Sequence, residues 1–283
     1  MDAIDKVRSD YGRKYRMDVK WEQIDRYAQK WIKEAAIRIK TAFQQQLLVQ
    51  TKTSRTDLVT NVDREIEQFF IENIRNTFPG HRVLGEEGFG DELTVLEGVV
   101  WIIDPIDGTT NFIHQQRNFA ISVGIFENGI GKLGYIYDVV HDELYYARKD
   151  EGAFLNGMPL PRLEKVSVGE SIIAMNATWV TENRRIDYRV LSPLVKEARG
   201  TRSYGSAALE IAYVAAGRID AYISLRLSPW DFAAGWIIIG EVGGVFTNLY
   251  GEPLDLLSKN SILVAKPGLH EEILMKYVRK KEV

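Results

Sequence analysis

Residues 101–112 read Trp-Ile-Ile-Asp-Pro-Ile-Asp-Gly-Thr-Thr-Asn-Phe, and the rest of the chain is best read outward from them. Residues 99–103 form a short, fully apolar run with the composition of a buried strand, and the next residue is Asp104. Pro105 has no N–H with which to continue a ladder, so the strand is expected to stop there. Asp107 follows three residues after the first carboxylate, and Gly108 permits a tight turn. Two carboxylates are thereby delivered to one strand end, with the carbonyl of Ile106 between them as a third oxygen. Thr109 and Thr110 add hydroxyls and the free amide N–H groups of a new helix start, which suits a phosphate. A strand, an Asx-turn and a capped helix would account for this pattern equally well if it stood alone.

Three other segments weigh on the choice. Gly85-Glu86-Glu87-Gly88 sets paired acids between two glycines, which reads as a solvated turn or as a ligand pair. Thr56-Asp57-Leu58-Val59-Thr60-Asn61-Val62-Asp63 sets an isolated acid, Asp57, beside two apolar residues and hydroxyls at the start of a helix, where it fits a cap as well as a chemical role. Pro229-Trp230-Asp231-Phe232-Ala233-Ala234-Gly235 embeds one acid in an apolar helix. A carboxylate in such surroundings costs several kcal/mol unless it is paired, hydrogen-bonded or on a metal, to order of magnitude. Glu86, Asp104, Asp107 and Asp231 together make an all-oxygen donor set without histidine or cysteine, which hard cations prefer. Carboxylates so close repel one another unless a divalent ion neutralises them, so Mg²⁺ is expected, with Mn²⁺ as a tolerated substitute. Clusters sharing two or more such ions commonly serve the attack of water on a phosphate ester, which points to a phosphatase.

The whole chain is compatible with that chemistry. Its 283 residues are 45% hydrophobic and 27% charged, enough for about two lobes around substantial cores. With 36 basic against 39 acidic residues there is no basic field to attract nucleic acid. The absence of cysteine excludes disulfides, thiol catalysis and cysteine metal sites, and fits a reducing compartment. The longest apolar candidate, residues 232–240, is far short of the ~18 to 20 needed to cross a bilayer. The first sixteen residues are half charged and lack the apolar core of a secretory signal, so a cytoplasmic location is expected, with residues 1–16 a frayed extension.

Apolar residues at Trp21, Ile24, Ala28, Trp31, Ile32, Ala35, Ile39 and Ala42 predict a long amphipathic helix, and Ile66, Phe69, Phe70, Ile74 and Phe78 a second. Strand-like runs follow at 120–126, 134–139 and 144–148, and Asn156-Gly157 marks a change of register. Helices and strands then alternate through 205–216, 221–225 and 232–240. The expected class is α/β, an α+β lobe (17–156) carrying most metal ligands followed by an α/β lobe (157–283) with substrate-specificity elements.

Residues 56–63, 85–88, 101–112 and 230–244, in that order, resemble the motif set of the inositol monophosphatase family, within the Mg²⁺-dependent, lithium-sensitive sugar phosphatases. The resemblance runs from about Met17 to the C-terminus and implies a layered αβαβα sandwich, a homodimer and lithium inhibition. It implies that Glu86, Asp104 and the Ile106 carbonyl hold one metal, that Asp104, Asp107 and Asp231 hold a second, and that a third, weaker ion lies near Glu86. Asp57 with Thr109, beside Glu86, would activate the attacking water. Gly108, Thr109 and Thr110 would receive the phosphate, while Asp107, Asp231, Arg202, Gly205, Ser206 and Ala207 would meet the rest of the substrate. Arg202 also fits a solvated surface residue.

One departure bears on substrate choice. Inositol-preferring members carry a glutamate seven residues before the last metal aspartate, where this chain has Ser224, with Arg226 nearby. Losing that acceptor weakens discrimination between polyol phosphates. Arg226 fits a second phosphate, as in fructose 1,6-bisphosphate or NADP, or a surface ion pair. Hydrolysis of inositol monophosphate is the first expectation, a broad fructose-1,6-bisphosphatase or NADP phosphatase the second, and a regulatory binding protein with a vestigial site the third.

Overall fold

The structure, a computed structural model, describes residues 19–43, 48–51 and 58–279. The expected N-terminal extension therefore lies outside the described residues. In chain order the elements are α1 (Val19–Ala42), β1 (Val49–Thr51), β2 (Leu58–Thr60), α2 (Asn61–Thr77), β3 (Arg82–Gly85), β4 (Val99–Asp107) and α3 (Thr109–Gln115). The first half closes with β5 (Ala120–Glu127), β6 (Ile130–Asp138), β7 (Glu143–Arg148), β8 (Gly152–Leu155) and β9 (Met158–Pro159). The second contains β10 (Ile172–Met175), α4 (Ser192–Glu197), β11 (Gly200–Arg202), α5 (Ala207–Ala215), β12 (Ala221–Leu227), α6 (Pro229–Glu241), β13 (Val245–Thr247), β14 (Asn260–Ala265) and α7 (Leu269–Ile273).

Strands β3 to β9 form a seven-stranded sheet in sequence order, antiparallel except for the parallel β3–β4 pair. The second sheet has the order β11-β10-β12-β14-β13 and is mixed. All nine residues of β4 are buried, as a strand covered on both faces requires. Side chains alternate across a strand, so Val99, Trp101 and Ile103 join one core with α1 and α2, while Val100 and Ile102 join another with α5 and α6. The same alternation in the second sheet sends Tyr222 and Val264 to the α5–α6 core, and Ile223 and Leu263 to a third core with residues of α4 and α7. The layers are thus helix, sheet, helix, sheet, helix, the αβαβα order expected for this class.

One local expectation is corrected. Strand β4 does not stop at Asp104: pairing with β5 is interrupted between Asp104 and Asp107, then resumes at Asp107 opposite Ala120. Pro105 removes one donor, and the chain answers with an irregularity in the ladder that re-aims the carboxylates. Helix α6 lies unusually close to this sheet. A Cβ added to Gly134 would stand 2.5 Å from Ala234 O, so that position requires glycine for lack of space, and one on Gly124 would stand 3.0 Å from Ala233 C, which α6 could accept only by giving way.

Candidate active site and metal centre

Three elements supply the carboxylates. Asp104 and Asp107 flank the irregularity at the end of β4, and both are buried. Asp104 Oδ1 accepts the Ile106 N–H at 3.0 Å, which fixes the intervening turn. Asp231 comes from the first turn of α6, where Pro229 occupies a position that needs no amide donor and a capping box joins Asp231 to Ser228. Asp231 Oδ2 accepts the Ser228 N–H at 2.8 Å. One oxygen from each of Asp104, Asp107 and Asp231 can be chosen so that all lie within 4.8 Å of one another.

These groups shift one another's titration. Burial, then the charges of Glu86, Asp107 and Asp231, pushes Asp104 well above the usual carboxylate range. Burial, then Asp107 and Glu86, does the same to Asp231. Asp107 is pushed up to about 6 by burial, with hydrogen bonds from Ser206 and the Ala207 and Ala208 amides opposing. Half-buried Glu86 reaches the same group, as a hydrogen-bonding and like-charged neighbour of Asp104. The donor set is hard oxygen throughout, and a divalent cation would relieve both the repulsion and the cost of burial. The residues present fit such an ion.

The half-buried Thr109 Oγ1 lies 3.1 Å from Asp63 Oδ1 and 3.1 Å from Ile106 O. Its single proton can serve either acceptor. Asp63 is fully buried, accepts the Thr60 N–H at 2.8 Å and is bonded by the Thr60 hydroxyl. Asp57, expected beside Thr109, lies outside the described residues, and the acid that the structure brings to Thr109 is Asp63. It was legible only as the N3 member of the Thr60 capping box that opens α2.

Gly108 adopts φ 96° at the start of α3, where a Cβ would press on Asn118 O and Ser206 Cβ at 3.2 Å. Thr110 is exposed at this turn. Asn111, also on α3, donates to Asn118 O at 2.8 Å and to Tyr204 O at 2.7 Å, joining the motif to residues 204–206. Ser206 then bonds Asp107, whose Oδ2 also accepts the Ala208 N–H at 2.8 Å. Gly205, Ser206 and Ala207 are thereby brought to Asp107. Glu210, which sequence reasoning passed over, is buried, is pushed to about 7 by that burial, and accepts the Tyr204 N–H at 2.5 Å.

The two candidate arginines are placed differently. Arg202 is exposed on the edge strand β11 and donates to Thr201 O at 2.8 Å; no hydrogen bond or ion pair among the described residues joins it to the carboxylates. Ser224 is buried on β12, and Arg226 is exposed within the irregularity between Ser224 and Leu227.

A layered α/β scaffold holding an oxygen-only cluster of this kind defines a phosphoric monoester hydrolase that depends on divalent metal. The model of the inositol monophosphatase family matches residues 20–282, and the chain belongs to that family. It is 60% identical over 258 residues to the inositol-1-monophosphatase of Bacillus subtilis, covering 91% of this chain and 97% of that one. Among solved structures, SaIMPase-II with inositol monophosphate bound is 45% identical, with TM-score 0.82 and coverage of 90% of this chain and 93% of that one. An inositol monophosphatase/NADP phosphatase complexed with Mg²⁺ and phosphate is 30% identical, with TM-score 0.84 and coverage of 92% and 97%.

Proposed function

We propose that this protein hydrolyses inositol monophosphate to inositol and phosphate. The constellation of buried Asp104 and Asp107 with half-buried Asp231 carries the reading, and the 60% identity to an inositol-1-monophosphatase supports the choice of ester over fructose 1,6-bisphosphate or NADP. A purely regulatory role is disfavoured because the carboxylates are assembled rather than dispersed.

Asp104, Asp107 and Asp231, with Glu86 and the Ile106 carbonyl, would hold two or three Mg²⁺, with Mn²⁺ as a substitute. When bound, such ions neutralise phosphate charge and lower the pKa of water. The protein's own residues orient the reaction. Asp63 holds the Thr109 proton whenever the Ile106 carbonyl is otherwise engaged, which turns the lone pairs of Thr109 Oγ1 outward as an acceptor for the attacking water. The Gly108–Thr110 turn stands on the phosphate side. The start of α5 holds Asp107 through Ser206 and the Ala208 amide, and with Gly205, Ala207 and Ser224 it forms the side facing the polyol. Arg226 stands at the outer edge.

Lithium sensitivity, a homodimer, a cytoplasmic location and a lobe division near residue 157 belong to the same reading. The change of sheet between Pro159 and Ile172 supports that division, and no helix among the described residues is long and apolar enough to cross a membrane. A phosphate-release panel with Mg²⁺ tests the assignment. Inositol 1-phosphate should lead, and equal or faster turnover of fructose 1,6-bisphosphate or NADP would reject it.

A further inference from the structure

Helix α2 buries two acids one turn apart, Asp63 and Glu67, and neither has measurable exposure. Asp63 faces Thr109. Glu67 serves another segment: it accepts the Glu87 N–H at 2.6 Å and the Phe89 N–H at 2.9 Å, one on each carboxylate oxygen. The approach is so close that a Cβ on Gly85 would stand 2.5 Å from Glu67 Cδ. A buried carboxylate is tolerated only when it is hydrogen-bonded, and here both oxygens are committed to the turn formed by residues 85–89. That turn carries Glu86, the neighbour of Asp104.

We propose that Glu67 is a positioning residue for the ion site, fixing the 85–89 turn so that Glu86 stands beside Asp104. The inference rests on the reading of the cluster as an ion site. A four-residue step along a helix is about 6 Å, so one rigid element registers two parts of the site: Asp63 against Thr109, and Glu67 against the turn of Glu86. Glycine at position 85 is the counterpart, since any side chain there would displace either the turn or the carboxylate. Groups that orient ligands typically alter metal affinity by about 10–100-fold when removed.

The test is Mg²⁺ binding to the full chain by calorimetry, alongside turnover. In Glu67→Gln an amide NH₂ replaces one acceptor and faces a backbone N–H, and the Mg²⁺ dissociation constant should rise by about tenfold or more. KM for inositol 1-phosphate at saturating Mg²⁺ should stay near wild type. Glu67→Asp, which keeps two acceptor oxygens, should recover part of the affinity. Gly85→Ala, which forces the same turn from the opposite side, should reproduce the loss and serves if Glu67→Gln does not fold. Glu65→Gln, an exposed change on the same helix, should bind as wild type. Folded Glu67→Gln or Gly85→Ala binding Mg²⁺ within about twofold of a wild type that does bind it would overturn the positioning role alone. A wild type that binds no Mg²⁺ would overturn the ion-site reading, and this proposal with it.

Discussion

Asn111 Nδ2 donates to the carbonyl of Tyr204 at 2.7 Å, linking the helix that follows β4 to the turn that precedes α5. The asparagine of the Thr-Thr-Asn-Phe run thus holds the two halves of the site in register. Asn111→Ala removes the donor from two half-buried carbonyls, of Asn118 and Tyr204, and should cost about 0.5–1.5 kcal/mol for each hydrogen bond lost. KM should rise more than kcat falls, because the displaced segment is the one proposed to face the polyol. Chemical denaturation with steady-state kinetics measures both; an unchanged KM would contradict the assignment.

Removing one carboxylate of the cluster should uncouple it. Asp104→Asn deletes a charge from the centre of the group, and the loss of several kcal/mol of electrostatic stabilisation corresponds to about a thousandfold in turnover. Mg²⁺ should raise the melting temperature of the wild type but shift the variant little. Near-wild-type turnover at saturating Mg²⁺ would defeat the mechanism.

Asp63 and Asp57 can be separated directly. If Asp63 holds the Thr109 hydroxyl by accepting its hydrogen bond, so that Thr109 Oγ1 can accept from the attacking water, Asp63→Asn should lower kcat by about a hundredfold, within the usual range for losing assisted proton transfer. Asp57→Asn should retain more activity than that. The reverse order, measured at saturating Mg²⁺ and substrate, would return the role to Asp57.

His81 supplies a pH signature of stability. Its Nδ1 accepts from Trp101 Nε1 at 3.0 Å, and its ring stacks on Phe78. Burial, then the charge of Lys20, lowers its pKa from 6.5 to about 4. The unfolded chain therefore takes up the proton first, and the contribution of His81 is present above pH 6.5 and lost as the pH falls toward 4. Denaturation midpoints should decline more steeply over this window in the wild type than in His81→Gln, and equal slopes would contradict the prediction.

Local patterning made much of the fold legible. The apolar stripe of α1 and the unbroken apolar start of β4 follow from periodicity, and the interrupted ladder beyond Asp104 is a consequence of Pro105. The carboxylates of the cluster were also legible: Asp104 and Asp107 as two acids delivered to one strand end, and Asp231 as an acid without an apparent partner in an apolar helix. That Asp63 was passed over in favour of Asp57 has a simple cause. Asp63 occupies a capping position, and a cap satisfies the local pattern while concealing the long-range bond to Thr109. Glu67 and Glu210 were hidden because their partners are backbone N–H groups, which carry no sequence signature. The relevant sign was acids falling on buried helix faces, as Asp63 and Glu67 do beside Ile66 and Phe70.

The glycines beneath α6 give the site a second, chemically silent determinant. Asp231 stands two residues before Ala233, and the height of that helix above the sheet is set by the missing side chains of Gly124 and Gly134. The dimensions of the carboxylate group are therefore written partly in residues that never meet a substrate. A side chain at either glycine would lift α6 and carry Asp231 with it, so the spacing of the carboxylates is held from beneath by atoms that are not there.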